Sequence, residues 1–431
     1  MSATMLPATT GPGAPGTTPG QDVRRSYRGP IAYAVIGLLA LLVFGLGAPA
    51  GTDSTFRFAT SGDLISLPDL VLPSRVGAIA LSVIALVLAG VAAWAVRDAR
   101  RPGLWLPVVF GFVVVVAFLT WAVAGRAVPV TGMLQGTLLL AVPLVFGSLG
   151  GVLCERAGVV NIAIEGQLLS GAFLAAVTAS VTGSAWAGLV AAPVAGALVS
   201  ALLALFAIKY LVNQVIVGVV LNVLVSGTTG FLFSTVAGSS SALNSPDRLP
   251  QMPIPLLSDI PVLGPVLFDQ RPIVYLMYVA VAVIQVALFR TRWGLRVRAV
   301  GEHPKAADTV GIKVNRTRVR NVLLGGAVAG LGGAFFTIGS VGAFGTDMTA
   351  GQGYIALAAV IFGRWTPKGA LAAALLFAFA NELQYVLSSL STPVPSQFLL
   401  MAPYVATIFA VAGLIGRSRP PAASGIPYVK G

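Results

Sequence analysis

The residues of this sequence that could do chemistry are few and stand between long apolar runs. The densest set is Glu155-Arg156-Ala157-Gly158-Val159-Val160-Asn161-Ile162-Ala163-Ile164-Glu165-Gly166-Gln167, with an apolar run on either side. Ionisable groups at membrane depth are costly, so they face a bundle interior or a watery path. Asn161 and Glu165 are four residues apart, which places them on one face if the stretch is helical. Gly158 and Gly166 permit a break whose freed backbone groups can meet a solute or water. The same residues also fit an ordinary cytoplasmic loop with a helix cap, and their chemistry alone leaves both readings open. A second set is Asn213, Gln214 and Asn222, with Gln214, Gly218 and Asn222 on one helical face. Such amides either bind a polar solute or hold helices together, at about 0.6–2 kcal/mol per bond. Asn381, Glu382, Gln384 and Tyr385 form a third set, in which Asn381 and Tyr385 share a face; a solvated helix end explains them equally well.

Other chemistries lack their residues. The single cysteine, Cys154, and the single histidine, His303, cannot build a disulfide framework or a multi-histidine metal site. There is no Gly-Lys dipeptide and hence no phosphate-binding P-loop, so any ATP hydrolysis belongs to another chain. A membrane-embedded enzyme would need carboxylates, His or Cys in apposition, and no such cluster is visible.

The elements that must position the polar sets are apolar helices. Of 431 residues, 56% are hydrophobic and only 10% charged, against about 25% charged in soluble domains, so the chain cannot cover a water-facing surface. The predicted fold is all-α, a polytopic transmembrane bundle of ten to twelve spans. The apolar runs are 31–50, 76–96, 104–124, 133–153, 165–182, 185–208, 211–236, 273–289, 321–341, 354–362, 370–386 and 398–415. The run 354–362 is too short to cross alone, since a ~30 Å core needs about 20 helical residues, and is expected to borrow flanking residues or be re-entrant. Ala48-Pro49-Ala50 mimics a signal-peptidase site, but the preceding run exceeds the ~7–15 residues of a signal core and reads as a retained anchor. Residues 1–30, rich in Gly, Pro, Thr and Ala, read as a disordered cytoplasmic tail, 31–130 as N-terminal helices, 131–416 as the core and 417–431 as a second tail.

The formal charge of +13 lies between apolar segments, without the interleaved aromatics of a nucleic-acid surface, so no nucleic-acid polymer is expected as a partner. Arg97, Arg100 and Arg101, Lys209, the stretch 290–320, Arg364 with Lys368, and Arg417 with Arg419 are expected to face the cytoplasm, with both termini inside. The loops 51–75 and 237–272 read as extracytoplasmic connectors. Small residues at helix-packing spacing, Gly147 and Gly151, Gly166 and Ser170, Gly326 and Gly330, Ala329 and Gly333, report close helix contact rather than chemistry.

Nine of the 27 Lys and Arg residues, at 290, 292, 296, 298, 305, 313, 316, 318 and 320, fall in one connection, more than topology alone requires. Within it Glu302, His303, Pro304, Lys305, Ala306, Ala307, Asp308 and the residues to Gly311 read as a short helix, with Pro304 in its first turn and Gly311 as its stop. A capped helix in a cytoplasmic loop is a docking element; attraction of the loop to anionic lipid is the alternative.

These segments carry a family resemblance. ERAGVVNIAIEGQLLSG (155–171), NQVIVGVVLN (213–222), WGLRVRAVGEHPKAADTVGI (293–312) and GYIALAAVIFGRWTPKGALAAALLFAFANELQ (353–384) resemble, in order, the motifs of the permease subunits of nucleoside and simple-sugar ABC importers, of the branched-chain amino acid permease superfamily. The likeness spans about 134–416 and does not extend to 1–130. It implies a bacterial cytoplasmic-membrane importer subunit with a second related permease chain, two cytoplasmic ATP-binding subunits carrying ATP and Mg, and an extracytoplasmic solute-binding protein. This chain would then bind no cofactor. The family's coupling loop maps onto Glu302 to Gly311, and Asn161, Glu165, Gln214 and Asn222 are the candidates to line the path. Branched-chain amino acids and monosaccharides are the alternative solutes. An ion-coupled secondary transporter would place more carboxylates inside its helices than Glu165 and Glu382.

Overall fold

The computed structural model describes residues 27–59, 66–98, 105–237, 241–390 and 419–430, with a few isolated positions between them. Residues 1–26, Arg100, Arg101, Arg417 and almost all of the run 398–415 lie outside the described residues. The chain divides into two compact units, residues 1–54 with 72–125, and 55–71 with 126–431.

In the first unit, α1 (Arg28–Ala40), α2 (Ser74–Arg97) and α3 (Trp105–Ala122) pack together. Ala78, Ser82, Ala85, Ala89 and Ala92 recur at helical spacing on α2 and are all buried. With little hydrophobic drive between helices in lipid, such small residues let backbones approach until dispersion contacts hold them. Phe110 of α3 stacks on Tyr33 of α1 at 4.4 Å between ring centroids.

The second unit holds α4 (Val130–Glu155), α5 (Ile164–Thr182), α6 (Ala185–Ala204, continuing to Lys209), α7 (Gln214–Leu232), α8 (Pro272–Arg290), α9 (Arg292–Glu302), α10 (Pro304–Thr309), α11 (Val314–Ala334, continuing to Val341), α12 (Gln352–Phe362) and α13 (Pro367–Ser389). Among the described residues, ten helices of the chain are long and apolar enough to cross a membrane, and the all-α bundle is as expected. Strands are short and lie in connectors, such as Met252–Pro253 against Asp269–Gln270 between α7 and α8.

At the centre α11 packs on α4, α5 and α6. Gly326 and Gly330 meet Gly196 of α6 so closely that a Cβ on Gly330 would stand 3.1 Å from the Gly196 Cα. That approach is why these positions carry glycine.

Two expectations change. The helix expected from 321 begins at Val314, because the cation-rich turn 316–320 continues the same helix beyond its apolar part. The stretch around Asn161 is not helical: α4 ends at Glu155, Gly158 takes φ +86°, and 159–162 is irregular before α5 begins at Ile164. Asn161 and Glu165 therefore do not share a helical face. Gly158 makes the break, whereas Gly166 is inside α5, where Asn222 lies against it.

Candidate functional site

The break between α4 and α5 is tied on one side by the polar face of α7. Asn213 caps that helix by accepting from the Val215 and Ile216 amides, which starts α7 in register for the next two side chains. Two turns apart, Gln214 Oε1 accepts from the Val160 amide at 2.7 Å, and Asn222 Nδ2 donates to the Ile162 carbonyl at 2.9 Å. Asn222 Oδ1 accepts from the Gly166 amide at 2.9 Å, and Nδ2 also reaches the Tyr354 hydroxyl at 3.2 Å. Gly218 lies between them against Ile162. The shared face of Gln214 and Asn222 thus satisfies backbone groups that the break leaves without helical partners.

Asn161 turns the other way. It is fully buried and exchanges hydrogen bonds with Gln167, whose Nε2 donates to Ser200 of α6 at 2.8 Å.

Glu165 opens the first turn of α5 and crosses to the start of α12. Its Oε1 accepts from Thr349 Oγ1 at 2.6 Å and from the Gly351 amide at 2.8 Å, and its Oε2 accepts from the Gly353 amide at 2.5 Å. The carboxylate therefore sits on the N-terminus of α12, where free amide groups and the helix dipole favour negative charge. At 1.5 Å per residue, the 11 residues of α12 rise about 16 Å, half of a ~30 Å hydrocarbon core. The run that is too short to cross is thus a half-helix. The loop before it is tightly bent, with Asp347, Ala350 and Gly351 all at positive φ.

Glu165, Asn222, Val223, Ser226, Gly227, Asp347, Ala350, Gly351 and Tyr354 line an open cleft of about 510 Å³. Ser226 Oγ donates to Asp347 Oδ1 across it at 2.6 Å. Two of the four residues expected to line the path, Glu165 and Asn222, border this cleft, and Asn161 and Gln214 are buried behind it. Ser226, Asp347 and Tyr354 were missed in the sequence reading. Only the offset of four from Asn222 to Ser226 was available as a signal. Glu382 lies elsewhere, with its carboxylate against Gly136 of α4.

A second constellation gathers the cationic loops of this unit at one end. Trp365 Nε1 donates to Glu155 Oε2 at 2.5 Å, Arg156 Nε donates to the Trp365 carbonyl at 2.7 Å, and Arg156 Nη2 to that of Arg364 at 3.3 Å. Arg364 and Trp365 are both left-handed, at φ +54° and +53°, a conformation that persists in non-glycine residues only where surrounding contacts impose it. The guanidinium groups of Arg156 and Arg298 stand 5.5 and 5.2 Å from the Phe289 ring centre. Burial pulls the Arg156 guanidinium below its ordinary pKa, and Glu302 opposes that shift.

The short helix expected at 302–311 is present as α10, with Pro304 at its first position and Gly311 at φ +84°. Glu302, His303, Lys305 and Ala306 are exposed. Ala307 is 3% exposed and packs on Val300 and Val314, so it faces the protein rather than a partner. Nor are all nine bases of this connection available to a partner, since Arg318 is 2% exposed and Arg298 lies by Phe289. Among the described residues no group of His, Cys, Asp and Glu is placed to hold a metal.

Residues 133–415 match the family of permease components of branched-chain amino acid transport systems. The chain belongs to this family. It is similar to the guanosine ABC transporter permease NupQ of Bacillus subtilis, at 42% identity over 69% of this chain and 97% of the relative. The nucleoside ABC transporter permease NupC of Lactococcus lactis is 39% identical over 68% of this chain and 95% of its own length. A putative glucose ABC transporter permease of Haloferax volcanii is 37% identical over 60% and 79%. No solved structure matches. The chain is therefore a multi-pass membrane permease subunit, a transport component of the ABC type, and the break, half-helix and cleft lie within the part the family shares.

Proposed function

We propose that this chain forms half of the pore of an ATP-driven importer of nucleosides in a bacterial cell membrane. The observation that carries the reading is the open cleft at the head of the α12 half-helix, where Glu165, Asn222, Ser226, Asp347 and Tyr354 stand among apolar lining. Its volume is within the roughly 300–1,000 Å³ of small-molecule sites, and Asn222, Ser226, Asp347 and Tyr354 offer the donors, acceptors and ring face that ribose hydroxyls and a base require. The named nucleoside permeases among its relatives support that solute class over amino acids. The glucose permease relative supports a monosaccharide as second reading.

In this mechanism two ATP-binding subunits, which carry ATP and Mg, dock on the exposed face of Glu302–Gly311. Lys209, the 290–320 stretch, Arg364 and Lys368 share that end of the unit, which the positive-inside rule assigns to the cytoplasm, with both termini. Nucleotide binds one arrangement of the assembly better than the other and so shifts the population between outward and inward states; affinity equal for both would move nothing. A solute-binding protein delivers at the opposite face. A second, related permease chain covers the open side of the cleft, because Ser226 and Asp347 cannot face lipid.

The test is ATP hydrolysis and uptake in liposomes holding the assembled complex, with nucleosides, glucose and branched-chain amino acids offered in turn. The expected result is stimulation by nucleosides that Ala306→Asp abolishes, since Ala306 is the exposed alanine of the docking helix. Stimulation by glucose alone would replace the solute, and hydrolysis indifferent to the permease would sink the importer reading.

A further inference from the structure

Residues 419–430 touch three parts of the machinery at once. The Ala423 amide donates to the Gly301 carbonyl at 2.9 Å, and the Ala422 amide to Glu302 Oε2 at 3.1 Å, both at the junction of α9 and α10. Tyr428 is 8% exposed and completes an apolar cluster with Val300, Ala307 and Val314, its hydroxyl facing Asp308. Gly425 lies on Val160, and the Ala423 carbonyl borders Gly158, so the same segment rests on the break between α4 and α5.

Its anchor is Arg318 in the first turns of α11. A buried guanidinium is costly unless its donors are met. Arg318 Nη1 donates to the Ile426 carbonyl at 2.9 Å, and its Nε and Nη2 have no hydrogen-bond partner among the described residues. The position of this charge is thus tied to the segment lying over it.

The docking helix needs such support. With six residues it is far below the roughly 12–15 at which an isolated helix becomes even marginally stable, and Ala307 is its one fully buried side chain. Tyr428 closes the cluster that holds that side chain.

We propose that residues 419–430 are a coupling strap that binds the docking helix and the 156–160 break into one block, so that a push on the helix reaches the loop leading into Glu165. The proposal rests on the importer reading for its source of force. A second link, the close contact of Gly301 with the Arg156 carbonyl, runs in parallel, so loss of the strap weakens coupling without abolishing it.

Two variants test it in the assembled complex, a chain lacking 419–431 and Tyr428→Ala. Hydrolysis is expected to stay within about twofold of the parent while solute moved per ATP falls by about fivefold or more, the low end of ordinary coupling. An unchanged ratio overturns the strap, and if the shortened chain fails to assemble, Tyr428→Ala decides. A nitroxide at position 305 of this chain alone separates the strap from the importer reading. Its mobility should rise when the strap is removed or Tyr428 is replaced, whatever the ATPase does. Mobility unchanged in both overturns the strap even if the complex imports nucleosides.

Discussion

Glu165 and Tyr354 border the same cleft, yet their hydrogen bonds assign them different work. Glu165 holds three donors that belong to the turn before α12 and to its first residues. Glu165→Ala leaves these without their acceptor, and at about 1–3 kcal/mol for each buried group left unmet, with water in the open cleft offsetting part, stability should fall by about 2 kcal/mol or more. The Tyr354 hydroxyl meets only one of the bonds that Asn222 makes, and Asn222 keeps Ile162 and Gly166 without it. Tyr354→Phe is therefore expected to cost about 1 kcal/mol or less, an ordinary hydrogen bond, while raising the KM for nucleoside uptake. Melting curves of the purified chain alongside uptake kinetics separate the two. Equal melting losses with unchanged KM would assign Tyr354 to the scaffold as well.

At the level of elements, the junction of α4 with the α12–α13 turn joins the cation-rich end of the unit to the half-helix. The turn holds two consecutive left-handed residues because Glu155 and Arg156 grip the Trp365 ring nitrogen and the carbonyls of 364 and 365. Trp365→Phe preserves most of the ring but leaves Glu155, 5% exposed, without that donor. The expected loss is about 1–3 kcal/mol, read as a lower melting temperature, and Trp365→Leu should lose more because buried ring volume also goes. A melting temperature equal to the parent's would mean the turn holds itself. Little of this junction was legible beforehand. The short helix α10 could be read from Pro304 and Gly311, whose backbone preferences are local, and the Gln214–Asn222 face from spacing. Glu155 and Trp365, by contrast, are 210 positions apart, and no periodicity joins them. The pairing of Asn161 with Glu165 failed for a related reason: spacing of four has meaning only on a helix, and Gly158 ends one just before.

For the molecule as a whole, the bundle could be read from composition and span length, because a bilayer fixes both. What covers the cleft could not, because on the proposed reading it is a surface of another chain. Val223 makes that question measurable. It borders the cleft and is 69% exposed in the isolated chain, while the chain's own thiol, Cys154, is fully buried. A cysteine placed at 223 is therefore the one thiol open to labelling. If a second permease chain closes the cleft into a watery path, a nitroxide there becomes shielded from membrane-dissolved oxygen on assembly and open to a water-soluble relaxant. If it stays exposed to oxygen in the assembled complex, this side of α7 faces lipid. Ser226 and Asp347 would then need another partner, and the solute route would have to pass elsewhere in the bundle.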